Sequence, residues 1–137
     1  MSIFKGVGVA LVTPMNEKGL DLDEYGRLID HVLAGGATAL IVGGTTGEPA
    51  TMTQEERISM FRYAVKHTAG RAPVIIGTGS NNTAAAVEMS RIAEAEGADG
   101  LLVVTPYYNK CTQNGRVAHY TAIADAVNIP LVLYNVP

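Results

Sequence analysis

The run Ala39-Leu-Ile-Val-Gly-Gly44 is short, apolar and β-branched at two positions, and it ends in glycines. It lacks polar alternation, as is typical of a strand that is buried on both faces of a parallel sheet. Four further runs share this character, at residues 7–12, 74–76, 101–104 and 131–134. The sequence therefore predicts five buried parallel strands.

Amphipathic stretches lie between these strands. The first predicted helix, 22–33, places apolar side chains on one face and stops at two glycines. The second follows Thr53, which has capping-box spacing to Glu56, and stops near residue 70. The third begins near residue 82 or 83 and ends at Gly97, and the fourth begins near residue 113 and ends before Pro130. Helix and strand thus alternate along the whole chain.

The strands start at residues 7, 39, 74, 101 and 131, a regular repeat of four βα units followed by a fifth strand. Two α/β architectures fit this repeat: a doubly wound open sheet, or the first half of a (β/α)8 TIM barrel. A dinucleotide-binding loop would favour the doubly wound sheet. Two G-x-G sequences begin at Gly6 and Gly77, but Leu11 and Asn82 stand where the third glycine belongs. The barrel is therefore favoured, with residues 1–137 forming one incomplete domain.

Composition narrows the class of protein. The 137 residues carry a net charge of −3 and are 47% hydrophobic, which argues against disorder and against nucleic acid as a main partner. The single Cys111 cannot form an internal disulfide, and no zinc-ligand set is present. No signal peptide or membrane-length apolar run is recognisable. We expect a soluble cytoplasmic protein with no cofactor, metal or membrane partner.

Hydroxyl groups and glycines follow the predicted strands, where active sites of such folds lie. Thr45 and Thr46 stand in the glycine-rich turn 43–48, Tyr107 and Tyr108 follow the fourth strand, and Tyr134 ends the fifth. This set favours small-anion binding and proton transfer through hydroxyls over hydrolysis by paired carboxylates. Each motif also has a purely structural interpretation: a tight βα turn, an aromatic interface patch and a core tyrosine.

The remaining polar residues are interpreted as structural. His31, His67 and His119 lie in helices at no metal-ligand spacing, so we expect them on the surface or in packing roles. Glu94 and Glu96 are expected to lie on a solvated helix face.

Taken together, four motifs resemble the dihydrodipicolinate synthase family. They are Gly43-Gly-Thr-Thr-Gly-Glu48, Gly77-Thr-Gly79, Val104-Thr-Pro-Tyr-Tyr-Asn-Lys110 and Tyr134-Asn-Val-Pro137. The resemblance runs in order over the whole chain. It implies a (β/α)8 barrel and a Schiff-base aldolase that condenses pyruvate with aspartate semialdehyde towards diaminopimelate and lysine. It also implies a homo-oligomer, a dimer or a tetramer.

The resemblance also implies residue roles. Thr46 resembles the residue that binds the pyruvate carboxylate. Thr45, Tyr134 and Tyr108 resemble the family's proton-relay triad, with Tyr108 reaching into the neighbouring subunit's site. Tyr107 would then pack at that subunit interface.

Some positions distinguish members of this superfamily. Sialic-acid (N-acetylneuraminate) lyases typically carry serine where this chain has Thr45, which favours the synthase. Another pyruvate-dependent aldolase of the superfamily stays as the alternative. Gln54, Arg57 and Ala85 depart from the residues of lysine-inhibited members, whereas Asn81 and Tyr107 match them. These departures argue against feedback inhibition by lysine.

The resemblance places the family's Schiff-base lysine on a sixth strand, beyond Pro137. None of the lysines present is expected to serve as that nucleophile, so the chain alone is expected to be inactive. An open alternative is a non-catalytic half barrel that complements a separate C-terminal fragment. In either case the first and fifth strands would have unpaired edges, which favour association.

Overall fold

A computed structural model describes residues 3–136, and Met1, Ser2 and Pro137 lie outside the described part. The elements, in chain order, are β1 (Gly8–Ala10), β2 (Met15–Asn16), β3 (Gly19–Leu20), α1 (Leu22–Ala34), β4 (Ala39–Val42), α2 (Gln54–Thr68), β5 (Val74–Gly77), α3 (Thr83–Ala95), β6 (Gly100–Val104), α4 (Gln113–Ala124) and β7 (Leu131–Tyr134). Two short 3₁₀ helices, Thr45–Gly47 and Pro49–Thr51, lie between β4 and α2. The five predicted strands and four predicted helices are confirmed.

The main sheet contains five parallel strands in the order β1-β4-β5-β6-β7. Each strand therefore pairs with the next one along the chain, with one helix between them. A doubly wound sheet reverses its strand order at a switch point, and this sheet does not. The barrel prediction is confirmed, and the doubly wound alternative is wrong.

One face of the sheet carries the helices. Side chains on that face are almost fully buried against α1–α4: Leu40, Val42, Val74, Ile76, Leu101 and Val103. The strand register places Leu102, Val104 and Tyr134 on the opposite, inner face. The inner face of the sheet is therefore the surface that would line a barrel.

Helix starts are set by polar side chains, as the sequence indicates. The backbone N–H of Glu56 donates to Thr53 Oγ1 at 3.2 Å, and the N–H of Thr53 donates to the Glu56 carboxylate at 2.8 Å. This is the predicted capping box, and it satisfies two backbone donors at once. Asn82 and Thr112 cap α3 and α4 through their side-chain oxygens. These caps fix where the loops after the strands end.

The two outer strands of the sheet each have one paired edge. Val7 and Val12 flank β1 and are exposed, and so are Leu133 in β7 and Val136 just after it. Leu133 lies on the helix-bearing face but is 59% exposed, because no described helix covers β7 there. Apolar surface at both edges is what a sheet continuing into further strands would cover. Among residues 3–136 no helix has the length and apolarity needed to cross a bilayer.

Candidate functional site

A cavity of about 360 Å³ lies on the inner face at the carboxyl ends of β4–β7. In barrels of this type the carboxyl ends of the strands carry the active site. Its walls come from the carboxyl-terminal ends of β5–β7, from the loops after β4, β5, β6 and β7, and from the first turn of α2: Gly43, Gly44, Thr45, Glu48, Pro49, Ala50, Arg57, Gly77, Gly79, Leu102, Val104, Tyr107, Tyr134 and Val136. Four of the five main strands thus contribute to one concave surface.

The turn after β4 brings Thr45 into the cavity lining. Gly43 has a φ of +66°, a left-handed conformation that glycine adopts readily, and the chain then enters the 3₁₀ helix Thr45–Gly47. From the loop after β1, the hydroxyl of Thr13 donates to Gly47 O at 2.7 Å. The buried Thr13 therefore fixes the turn through this hydrogen bond. Thr45 and Thr46 of the turn are exposed.

The glycines at and just after the end of β5 allow close packing of the backbone. A side chain at Gly77 would come within 3 Å of the Gly43 carbonyl carbon and the Gly44 nitrogen. At Gly79 it would lie 2.6 Å from Val104 N. The G-x-G sequence therefore brings neighbouring βα loops together, and this contact gives the cavity its shape.

The structure brings two of the predicted relay residues together. Thr45 and Tyr134 both line the cavity, and Tyr107 lies in the same wall. Thr46 is exposed on the same turn but is not among the lining residues, and Tyr108 is 96% exposed and also lies outside the lining. The roles of all four predicted site residues stay predictions, with Tyr108 directed away from this chain's own cavity.

The end of β7 is held by neighbouring hydroxyl groups. Tyr134 O accepts hydrogen bonds from the backbone N–H and the hydroxyl of Thr105, at 2.8 and 3.2 Å. The Tyr120 hydroxyl lies 3.5 Å from the same oxygen, and burial raises the pKa of that phenol. These contacts fix the backbone from which the Tyr134 phenol extends.

Arg57 is a lining residue to which sequence reasoning gave no place in the cavity. Its guanidinium donates to Gly77 O at 3.4 Å and stacks 5.9 Å from the centroid of the Phe61 ring. Burial lowers the pKa of Arg57, and the nearby Tyr107 opposes that shift. A charged residue in the first turn of a helix is usually exposed, so the sequence gives no sign that Arg57 lines the cavity. Only the tertiary structure shows this contact.

Other ionisable groups lie away from the cavity. His119 is buried between α3 and α4, where Nδ1 lies 2.9 Å from the Thr83 hydroxyl, and His67 lies 3.1 Å from Asp30 on the outer surface. The four lysines are all described, and none lines the cavity. Within residues 3–136 no group of three or more histidine, cysteine, aspartate and glutamate side chains could hold a metal ion.

Comparison with known proteins agrees with this geometry. The model of the dihydrodipicolinate synthetase family matches residues 3–137. The 4-hydroxy-tetrahydrodipicolinate synthase of Thermoanaerobacter sp. (strain X514) is 58% identical over 137 residues, which cover 100% of this chain and 46% of that protein. The chain thus spans about half the length of the curated relatives it matches.

Solved structures give the same result. The dihydrodipicolinate synthase of Aquifex aeolicus has a TM-score of 0.95 at 47% identity, covering 98% of this chain and 46% of that one. The chloride-inhibited enzyme of Acinetobacter baumannii, solved with pyruvate, has a TM-score of 0.95 at 43% identity, covering 99% and 47%. With a parallel sheet in barrel order and a cavity at the carboxyl ends of its strands, this chain belongs to the dihydrodipicolinate synthetase family.

Proposed function

We propose that the chain is the N-terminal half of a 4-hydroxy-tetrahydrodipicolinate synthase, a lyase that condenses pyruvate with aspartate semialdehyde. One observation carries the proposal: Thr45, which follows the second strand of the sheet, and Tyr134, which ends the fifth, line a single cavity at the carboxyl ends of the strands. The names of the relatives support the same activity. The proposed setting is cytoplasmic biosynthesis of diaminopimelate and lysine.

Hydroxyl groups do the proton chemistry in this proposal. Thr45, Tyr134 and Tyr108 pass a proton in series, and Thr46 binds the pyruvate carboxylate beside the glycine-rich turn. In the described part of the chain no histidine lines the cavity and Glu48 is its one lining carboxylate, whereas hydroxyl groups line it from the ends of different strands, which supports a relay of hydroxyls. Because Tyr108 points away from its own chain, its partners in the relay belong to a neighbouring subunit, and the enzyme is a homo-oligomer.

The amine that forms the imine with pyruvate lies outside this chain. Lys5, Lys18, Lys66 and Lys110 are absent from the cavity lining. An amine nucleophile needs a lowered pKa, which burial in a site provides and an exposed loop does not. The chain therefore supplies the anion-binding turn and the relay, and a C-terminal half of the barrel supplies the lysine and covers both sheet edges.

The proposal is tested with a completed barrel, in which this chain is fused to the C-terminal half of the Thermoanaerobacter sp. relative. We expect the completed barrel to consume pyruvate and aspartate semialdehyde together, and we expect neither half alone to do so. Cleavage of N-acetylneuraminate without this condensation would replace the proposal by a sialic-acid lyase. Full condensation by the 137-residue chain alone would contradict the division of labour between the halves.

A further inference from the structure

The side chain of Asn81, in the loop after β5, forms two hydrogen bonds with the backbone of the loop after β6. The side-chain amide of Asn81 donates from Nδ2 to Tyr107 O at 2.9 Å. Its Oδ1 accepts from Tyr107 N at 2.7 Å. A single amide group therefore binds both polar groups of one backbone residue, 26 positions later in the chain.

The next residue has an uncommon backbone. Asn109 N donates to Tyr107 O at 2.7 Å, which closes a three-residue turn centred on Tyr108. Tyr108 has a φ of +65°, so this is the rarer and more strained form of the γ-turn. A bulky residue keeps such a conformation only where its surroundings enforce it. The turn directs the Tyr108 side chain outward, and 96% of its surface is exposed.

The loop that carries Asn81 is itself well anchored. On its β5 side, the hydroxyls of Thr78 and Ser90 lie 2.8 Å apart in a buried contact with α3. On its α3 side, Asn82 caps the helix by accepting from Ala85 N at 3.3 Å, and Asn82 N donates to Ser80 Oγ at 3.1 Å. Asn81 therefore connects the Tyr107 backbone to a loop whose position is fixed by the start of α3.

We propose that Asn81 is the positioning residue for Tyr108: its amide fixes the backbone of Tyr107 and so holds the strained turn that aims the Tyr108 phenol out of the chain. The proposal rests on the relay role of Tyr108 in the proposed function. Only an amide of this length supplies one donor and one acceptor to the same residue. Aspartate keeps the acceptor for Tyr107 N but loses the donor to Tyr107 O.

The first test measures the turn itself, without reference to activity. In the completed barrel with Asn81→Ala, hydrogen exchange of the Tyr107 and Asn109 amides is expected to become at least about tenfold faster. Asn114→Ala, an exposed change on α4, serves as the matched control and is expected to leave both amides unchanged. Unchanged exchange in a folded Asn81→Ala protein would overturn the proposal.

The second test separates positioning from simple destabilisation. Asn81→Ala is expected to lower kcat roughly ten- to hundredfold, since small misplacements of catalytic groups have effects of this size. The KM for pyruvate is expected to stay within about twofold, because the pyruvate-binding turn is untouched. Asn81→Asp should give an intermediate kcat, which keeps the test usable if the alanine variant does not fold.

Combination with Tyr108→Phe shows whether the effect passes through the phenol. We expect Asn81→Ala to cause no further loss of kcat once the Tyr108 hydroxyl is absent. If Asn81→Ala lowers kcat equally with Tyr108 and with Tyr108→Phe, the positioning role is overturned while the relay stands. The same holds if Asn81→Ala makes amide exchange faster but leaves kcat unchanged. If Tyr108→Phe itself leaves kcat unchanged, the relay in the proposed function fails instead, whatever Asn81 does to the turn.

Discussion

Replacement of Tyr134 by phenylalanine in the completed barrel is expected to lower kcat by about 10²- to 10⁴-fold, the usual range for losing a group that transfers a proton. The phenol lies on the inner face and lines the cavity, whereas the backbone of Tyr134 is held by Thr105. Removing one oxygen therefore takes away the hydroxyl that we propose transfers the proton and leaves the strand in place. Steady-state kinetics with both substrates provide the measurement.

Thr45→Val is expected to cause a loss of similar size, because Thr45 lines the same cavity and valine preserves its shape. The double variant should be about as slow as the slower single variant, since groups that act as one unit are not additive in their effects. Independent, multiplicative losses would show that the two hydroxyls have separate roles.

Tyr63→Phe is the matched control for these variants. Tyr63 is half-buried on α2, where it stacks on His67 with ring centroids 5.4 Å apart, and it does not line the cavity. We expect its kcat to equal that of the unmodified barrel. A loss at Tyr63 comparable to that at Tyr134 would mean that the assay reports general damage to the fold.

Gly77→Ala is expected to destabilise the completed barrel by about 3 kcal/mol, the upper part of the range for overpacking. The new methyl group would meet the backbone of Gly43 and Gly44, which cannot rotate away as a side chain could. For a barrel of about 250 residues this corresponds to a thermal midpoint lower by roughly 6 °C. Thermal unfolding at a fixed protein concentration measures it.

Gly35→Ala provides the comparison for this prediction. Gly35 has a φ of −73°, and a methyl group there would meet Val32 O at 3.4 Å and His31 O at 3.5 Å, which are ordinary contacts, so stability should change by less than about 0.5 kcal/mol. An equally mild effect at Gly77 would show that the loops after β4 and β5 can separate. The close packing of the two loops would then not determine the shape of the cavity.

The main strands and helices of this fold are predictable because apolar patterning and helix-capping residues indicate the same elements that burial in the sheet requires. Each buried strand is a short apolar run, and the capping box at Thr53 and Glu56 forms as its spacing predicts. The hairpin of β2 and β3 is not predictable in this way, because two-residue strands have no periodicity. The two 3₁₀ helices before α2 are also too short to leave a pattern in the sequence.

Contacts between distant segments explain what sequence reasoning missed. Glu94 and Glu96, which we expect on a solvated helix face, make exposed contacts with distant segments that the sequence does not predict: Glu96 binds Arg62 at 2.6 Å, and Glu94 accepts from Asn128 N at 2.8 Å. The ion pair with Arg62 lowers the pKa of the Glu96 carboxyl. Likewise, the strand ends indicated Thr45 and Tyr134, but Arg57 on α2 reaches the cavity lining through tertiary packing alone.

The most direct test of the division between the two halves is reductive trapping with pyruvate and borohydride, followed by intact mass and peptide mapping. In the completed barrel we expect one stable adduct per subunit, on a lysine of the C-terminal half, because we propose that the amine that forms the imine lies there. In the 137-residue chain alone we expect no adduct. A stable adduct on Lys5, Lys18, Lys66 or Lys110 would contradict the central claim that this chain carries the relay but not the nucleophile.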